Sequence, residues 1–517
     1  MWRDRFPFLL LLCLLAPLPA IADPAADFQQ HCAECHGPDR LGRMGPALLP
    51  ENLARLRQPQ ARQVIADGRQ QTQMKGFSDR LSAEQIDGLV KLIYTPLPSV
   101  PVWGEADIRA SLKTELTADQ LPDKPVYQAD MMNLFIVVEM GDSHVTVLDG
   151  SKFEPIARFP SHFALHGGPK YSPDGRFVYF ASRDGWVTKF DLYSLKVVAD
   201  VRAGINTRNL AISGDGRTLA VANYLPHSLV MLDADTLQPL KIIPAVSRKG
   251  ISSRVSAVYQ AEPRDSFVVA LKDVPELWTI NWTDSPPPVY QGMVHSYEPG
   301  MIEGMAEKGR FPVRRIDLSE PLDDFFFDPS YTHLLGSARD GGHGVVVHLY
   351  VGREIAQVPL TGLPHLGSGI TWSDERGSFI ATPDLKEGKV TVIDRKTWKV
   401  VKTIDTLGPG IFLRSHEYTP YAWVDSSFSK AKDSLQIIDK RSLEVVAQVT
   451  PEPGKTANHV EFSRDGKFAL VSVSEDEGWL VVYDATTLKE VKRLPMRKPM
   501  GKYNVFNKIT RSGGTSH

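Results

Sequence analysis

The chain has 517 residues, more than one ordinary hydrophobic core supports, so two or more domains are expected. Its 59 Lys and Arg stand against 61 Asp and Glu, a net charge of -2. That balance carries no argument for a nucleic-acid partner or an anionic membrane surface. The 39 glycines and 38 prolines foretell many turns.

Residues 1–22 read as a secretory signal: Arg3 and Arg5, an apolar run from Phe8 to Leu15, then Ala20-Ile21-Ala22 as the cleavage site. The run is too short to span a bilayer, so no transmembrane segment is expected and the mature chain is placed in the periplasm.

Residues 23–98 form a small domain around Cys32-Ala33-Glu34-Cys35-His36. Two thiols three residues apart can add to the two vinyl groups of one haem, and the next histidine can reach its iron. The chain has only three cysteines, and the third, Cys13, falls in the signal. A thioredoxin-like or zinc reading would need a βαβ context or a second ligand pair, and neither is present. One covalent haem c is therefore expected. A helix is expected over Ala25 to His36, and an amphipathic one over Leu81 to Tyr94 with Ser82 as its N-cap. The second axial ligand should be a thioether or a second imidazole; Met74, just ahead of the last helix, is favoured over Met44.

Residues 99–126 are proline-rich and read as a linker that packs on something. From 127 to 517 a pattern recurs in which an apolar strand ends in aspartate: Asp149, Asp191 and Asp233 lie 42 apart, and Asp394, Asp439 and Asp484 lie 45 apart. A second phrase keeps the same beat, in Asp174-Gly175, Asp215-Gly216 and Asp465-Gly466, where glycine supplies the positive φ of a tight hairpin. Four short strands in 40–50 residues make one propeller blade, and the span holds about eight. The expected fold is a small all-α cytochrome c domain followed by an all-β eight-bladed propeller. The proline-rich Ser285 to Pro288 and the stretch to Arg315 read as insertions between blades.

The register brings polar residues together. His166, Arg208, His365 and His459 all precede the first hairpin of their blades by six to nine residues. Equivalent positions converge on one rim of the channel, where repeat folds gather function.

The chain resembles the cytochrome cd1 family over nearly all of its mature length. The resemblance is carried by Phe163-Ala164-Leu165-His166, Ser182-Arg183-Asp184-Gly185, Leu363-Pro364-His365-Leu366-Gly367, Phe412-Leu413-Arg414-Ser415-His416 and Gly501-Lys502-Tyr503-Asn504-Val505-Phe506-Asn507. It implies a propeller that binds haem d1 non-covalently, with His166 as proximal iron ligand and His365 on the distal side. Nitrite reductases of the family carry a second distal histidine. The matching stretch here, Glu320-Pro321-Leu322-Asp323-Asp324-Phe325, has none, with Pro321 nearest the expected position. The resemblance is therefore closer to the members that dehydrogenate dihydro-haem d1 during haem d1 biosynthesis. There the acid/base pair falls on His459 and Tyr503, and both histidines ligate the iron.

Dehydrogenating a propionate to an acrylate needs a base, an electron sink and fixed cations for the carboxylates. Arg183, Arg208 and Arg254 are candidate cations, since guanidinium binds carboxylate bidentately. His416 is a further pocket candidate. Electrons are expected to leave through haem c to an external acceptor. Other haem d1 biosynthesis proteins and nitrite reductase are the expected partners. Nitrite reduction and haem d1 delivery are the competing readings.

Overall fold

The computed structural model describes residues 23–43, 45–53, 56–68, 74–291, 305–307, 309–337 and 342–511. The expected signal segment and Met44 lie outside the described residues.

The N-terminal unit is helical. Pro24–His31 (α1) and Ala33–His36 (α2) replace the single helix expected, because the chain breaks at Cys32. Gln58–Asp67 (α3), which the sequence reading had not assigned, packs on Ala83–Ile93 (α4). Ser82 caps α4: its hydroxyl accepts from Gln85 N at 3.3 Å, while the Gln85 side chain accepts from Ser82 N at 3.0 Å. Ile86, Leu89, Val90 and Ile93 form the buried face of α4, against Phe28 of α1 and Ile65 of α3. Next, Glu105–Ser111 (α5) buries Ile108, and Lys113–Thr114 pairs onto the strand Lys196–Arg202.

The rest is an eight-bladed propeller. Blades 2 to 8 begin with the inner strands Lys170–Tyr171, Asn206–Ile212, Val255–Ala261, Asp324–Phe327, Ile370–Asp374, Leu413–Ser415 and Ala457–Phe462. Blade 1 is closed by the chain's end: Pro499–Asn504 supplies the inner strand against Leu134–Glu139, so both ends of the array share one sheet. The helix Val505–Thr510 (α6) follows directly.

Local chemistry explains the repeat. The periodic aspartates cap the turn between the third and fourth strands, as Asp233 Oδ1 accepts from Thr236 N at 2.8 Å. Four residues later the chain is left-handed each time: Phe153, Leu195, Leu237, Trp398, Leu443 and Leu488 have φ between 54° and 58°. A small positive φ is costly for such side chains, and the repeated Asp-capped turn holds it. The expected insertion after Ser285 is not between blades. It lies inside blade 4, where Val289–Gln291 pairs with Met305–Glu307 before the chain returns as the outer strand Val313–Asp317. The reason is that the third strand, Glu276–Asn281, keeps its own edge open until Val313–Asp317 pairs with it.

Candidate functional site

In the helical unit, His36 is buried and its Nδ1 lies 2.8 Å from the carbonyl of Pro46. A carbonyl can only accept, so Nδ1 carries the proton and the Nε2 lone pair is left for a metal. Gly45 makes this approach possible: a Cβ there would sit 2.7 Å from His36 Cε1. Cys32, Cys35, His36 and Met74 line one cavity wall, and Met74 packs on the helical core.

That cavity, about 2200 Å³, runs on into the propeller channel, where His166, Arg183, Arg208, Arg254, His365, His459 and Tyr503 line it too. Apart from His416, every described residue expected at either site thus borders one continuous space. His416 is buried instead behind the wall, its Nε2 3.3 Å from Asn507 Oδ1, which favours a packing role.

His166 (blade 2) and His365 (blade 6) are held alike. Each lies just ahead of its inner strand, with its backbone N donating to the second strand, at Ala181 O and Pro383 O, both 2.9 Å. Each turns Nδ1 to a carbonyl of the next blade, Arg208 O at 2.7 Å and Ile411 O at 2.6 Å. Arg183 Nη2 donates to His166 Nε2 at 3.0 Å, so Arg183 stands on the nitrogen an iron would need.

Arg208 and His459 reach the cavity by another device. Each is the unpaired residue of a β-bulge, between Asn209 and Thr207 in blade 3 and between Asn458 and Val460 in blade 8. A bulge re-aims one side chain without breaking the ladder. His459 has φ 45° and is 1% exposed. Its ring meets Tyr503 edge-on at 5.2 Å and Phe412 at 4.5 Å. Its Nε2 has no hydrogen-bond partner among the described residues. Burial, then Lys502, Arg414 and Lys508, hold the imidazole well below its usual pKa. Burial pushes the Tyr503 phenol up to about 12.

Arg254 is less available than expected. Its guanidinium is already paired with Asp273, with Nε 3.0 Å from Oδ2 and Nη2 on Oδ1. Lys272 likewise pairs with Asp323, and Arg183, Arg254 and Lys272 surround the Tyr224 ring, each 5.6 Å from its centroid.

Three further groups went unassigned in the sequence. Arg414 of blade 7 lines the cavity, is 2% exposed, and its Nε lacks a partner among the described residues. Its blade has no Asp-Gly hairpin, so counting back from that phrase passed it over. Asp324, not Pro321, is the residue of its segment on the cavity wall. It accepts from Tyr259 OH and from Gly367 N, two residues past His365, both at 2.9 Å. Lys502 is fully buried beside His459, with Nζ donating to His459 O.

Among the described residues no cluster of three or more His, Cys, Asp or Glu could hold a bare metal ion. Single imidazoles on opposite walls suit a metal that brings its own equatorial ligands, as haem iron does.

Residues 129–296 and 302–508 match the cytochrome D1 heme domain family, and residues 19–93 match the cbb3-type subunit III of cytochrome c oxidase. Dihydro-heme d1 dehydrogenase of Pseudomonas aeruginosa is 53% identical over 95% of this chain and 95% of its own length. The chain belongs to the cytochrome D1 heme domain family, among its dihydro-heme d1 dehydrogenases. A solved structure of dihydro-heme d1 dehydrogenase NirN in complex with DHE superposes with TM-score 0.88 at 52% identity, covering 94% of this chain and all of that one. The nitrite reductase of Stutzerimonas stutzeri is more distant within the family, at 24% identity over 92% of this chain and 91% of its own length. Membership accounts for the two halves of the molecule, a haem-binding propeller and a cytochrome c unit.

Proposed function

We propose that this protein is a periplasmic dehydrogenase that converts a propionate side chain of dihydro-haem d1 to an acrylate, the step that yields haem d1. The observation that carries the reading is the buried, partnerless Nε2 of His459 beside Tyr503, on a cavity whose opposite blades present His166 and His365. His166 and His365 hold the iron of the macrocycle from its two faces. Arg414 would bind its carboxylates, joined by Arg183 and Arg208, which stand 3.0 and 3.3 Å from His166 Nε2 and would be released from it when His166 holds the iron. Arg254, tied to Asp273, shapes the wall more than it binds.

The reaction breaks one C–H bond on each of two adjacent carbons, forms the C=C bond, and releases two protons and two electrons. His459, kept neutral by burial, takes the first proton at Nε2. Tyr503 retains its own proton at neutral pH and therefore relays the second proton rather than acting as a base. Cys32 and Cys35 would attach haem c, and His36 and Met74 would hold its iron; the bound group would supply a one-electron acceptor between the substrate and an external oxidant. The segment that matches the second distal histidine of nitrite reductases contains no histidine and reaches the cavity wall through Asp324. The lack of that second imidazole removes a proton donor and disfavours nitrite reduction.

The test is to incubate the holoprotein with dihydro-haem d1 and an oxidant, then weigh the extracted macrocycle by mass spectrometry. Loss of two hydrogens over many turnovers is expected. An unchanged macrocycle overturns the reading, and a nitrite assay on the same complex then separates nitrite reduction from cofactor delivery.

A further inference from the structure

His459 has two nitrogens with different neighbours. Nε2 is the one without a partner, and Nδ1 lies 3.5 Å from Lys502 Nζ. An imidazole can act as a base through Nε2 only if its proton sits on Nδ1. An ammonium at Lys502 would donate into Nδ1 and force the proton onto Nε2, making His459 a donor. A neutral amine would accept the Nδ1 proton and leave the Nε2 lone pair free. The charge state of Lys502 therefore selects what His459 can do.

The surroundings favour the amine. Lys502 is 0% exposed, and among the described residues it makes no ion pair. The charged and titratable groups around the pair are Glu461 on the same strand as His459, Arg414 and Asp425 in blade 7, Lys508 on α6, and Tyr503 beside it. Asp425 is spent on the backbone N–H groups of Ile411 and Phe412, at 2.9 and 2.8 Å. Glu461 Oε1 is taken by Asn507 Nδ2 at 2.9 Å, while its Oε2 has no hydrogen-bond partner among the described residues and makes no ion pair with Lys502; burial pushes its carboxyl up, toward the neutral form. With Arg414 always charged, a second fixed cation in this buried space is the costliest one to keep. Burial accordingly draws Lys502 well below the usual lysine range.

We propose that Lys502 is a positioning residue for the reaction: as a neutral amine it donates to the His459 carbonyl, accepts the Nδ1 proton, and so presents the Nε2 lone pair to the cavity. This rests on the reading of His459 as base given above. No covalent step is added. The Nδ1 proton stays shared within the pair while Nε2 takes the substrate proton.

The test uses the full-length holoprotein with Lys502→Arg and Lys502→Gln. Arginine keeps a permanent charge and fixes the proton on Nε2. Glutamine offers a carbonyl oxygen to Nδ1–H. Lys502→Arg is expected to bind dihydro-haem d1 within about 3-fold of wild type, by visible titration, yet lose about 100-fold or more in kcat, the scale of general base catalysis. Lys502→Gln is expected to recover at least about 10-fold of that loss and to keep the acid limb that belongs to His459. Diethyl pyrocarbonate, which attacks imidazole through its lone pair, gives a readout independent of turnover. His459 should be modified about 10-fold or more slowly in Lys502→Arg than in wild type, read by peptide mass spectrometry. Equal modification and equal kcat in the two proteins overturn the proposal. If wild type shows no dehydrogenation but the modification contrast holds, the pairing stands and the base role fails. Should the arginine variant not fold, Lys502→Leu, which offers Nδ1–H no acceptor, takes its place, and a kcat and a His459 modification rate both equal to wild type overturn the proposal.

Discussion

His166 and His365 lie four blades apart in the eight-bladed ring, and each donates a hydrogen bond from Nδ1–H to a carbonyl of the following blade, at 2.7 and 2.6 Å. Both rings line the channel, and with Nδ1 so engaged Nε2 is the nitrogen that would ligate a metal. Backbone carbonyls that fix the tautomer in this way also raise ligand basicity. Under the proposed function, two imidazoles so prepared would hold a flat, metal-centred macrocycle between them.

Removing either ring should convert the bound ferric macrocycle from six-coordinate to five-coordinate, read by electron paramagnetic resonance and visible spectra. Affinity should fall by at least about 10-fold for His166→Ala or His365→Ala, since even outer partners of a ligand are worth that much. A six-coordinate spectrum in either variant would show that the ligand lies elsewhere.

Met74→Ala should abolish a low-spin, high-potential haem c signal while leaving covalent attachment at Cys32 and Cys35 intact. The side chain lines the same cavity as His36 and packs with Phe77 and Leu81 in the helical core, so some loss of stability, about 2 kcal/mol, accompanies the change. An unaltered haem c spectrum would transfer the axial role to Met44.

The pH dependence follows from burial. His459 titrates well below the usual imidazole range, so the base is already deprotonated at pH ~6.5 and acid inhibition should begin only below that value. The unfolded chain binds this proton at pH ~6.5, whereas the folded one resists it. Folded stability from this group is therefore present above pH ~6.5 and declines as pH falls below it. His459→Gln should bind substrate yet lose about 100-fold or more in kcat, and Tyr503→Phe should lose less. A Tyr503→Phe variant as impaired as His459→Gln would make the phenol the principal proton acceptor.

The blades were legible because each Asp-capped turn and each Asp-Gly hairpin is a local requirement that one stretch of sequence states in full. The facing histidines were legible because both precede the hairpin by nearly the same count. The bulges at Arg208 and His459 were not, since they arise from pairing between strands and leave no mark in either strand alone. Arg414 and Lys502 stayed hidden for related reasons. One sits in a blade whose hairpin lacks the Asp-Gly phrase, and the other belongs to blade 1, whose inner strand comes from the far end of the chain. The placement of the insertion failed because an edge strand can be delayed by many residues at little entropic cost.

Arg202 ties the cytochrome unit to the propeller. Its guanidinium donates to Leu41 O at 2.5 Å, Gly42 O at 3.3 Å and Asp184 O at 2.9 Å, and lies 4.7 Å from the Trp103 ring centroid. Beside it Ala47 and Leu49 pack on Ile205 and Leu225. Arg202→Ala would leave three carbonyls short of a donor in a buried seam, a cost of about 3 kcal/mol. That loss should loosen the docked arrangement without unfolding the propeller. Bound dihydro-haem d1 should then reduce haem c at least about 10-fold more slowly in stopped-flow measurements, while oxidation of haem c by the external acceptor keeps its rate, since each 1.4 kcal/mol of lost docking is tenfold in the docked population. An unchanged rate of haem c reduction would mean that electrons do not cross this seam.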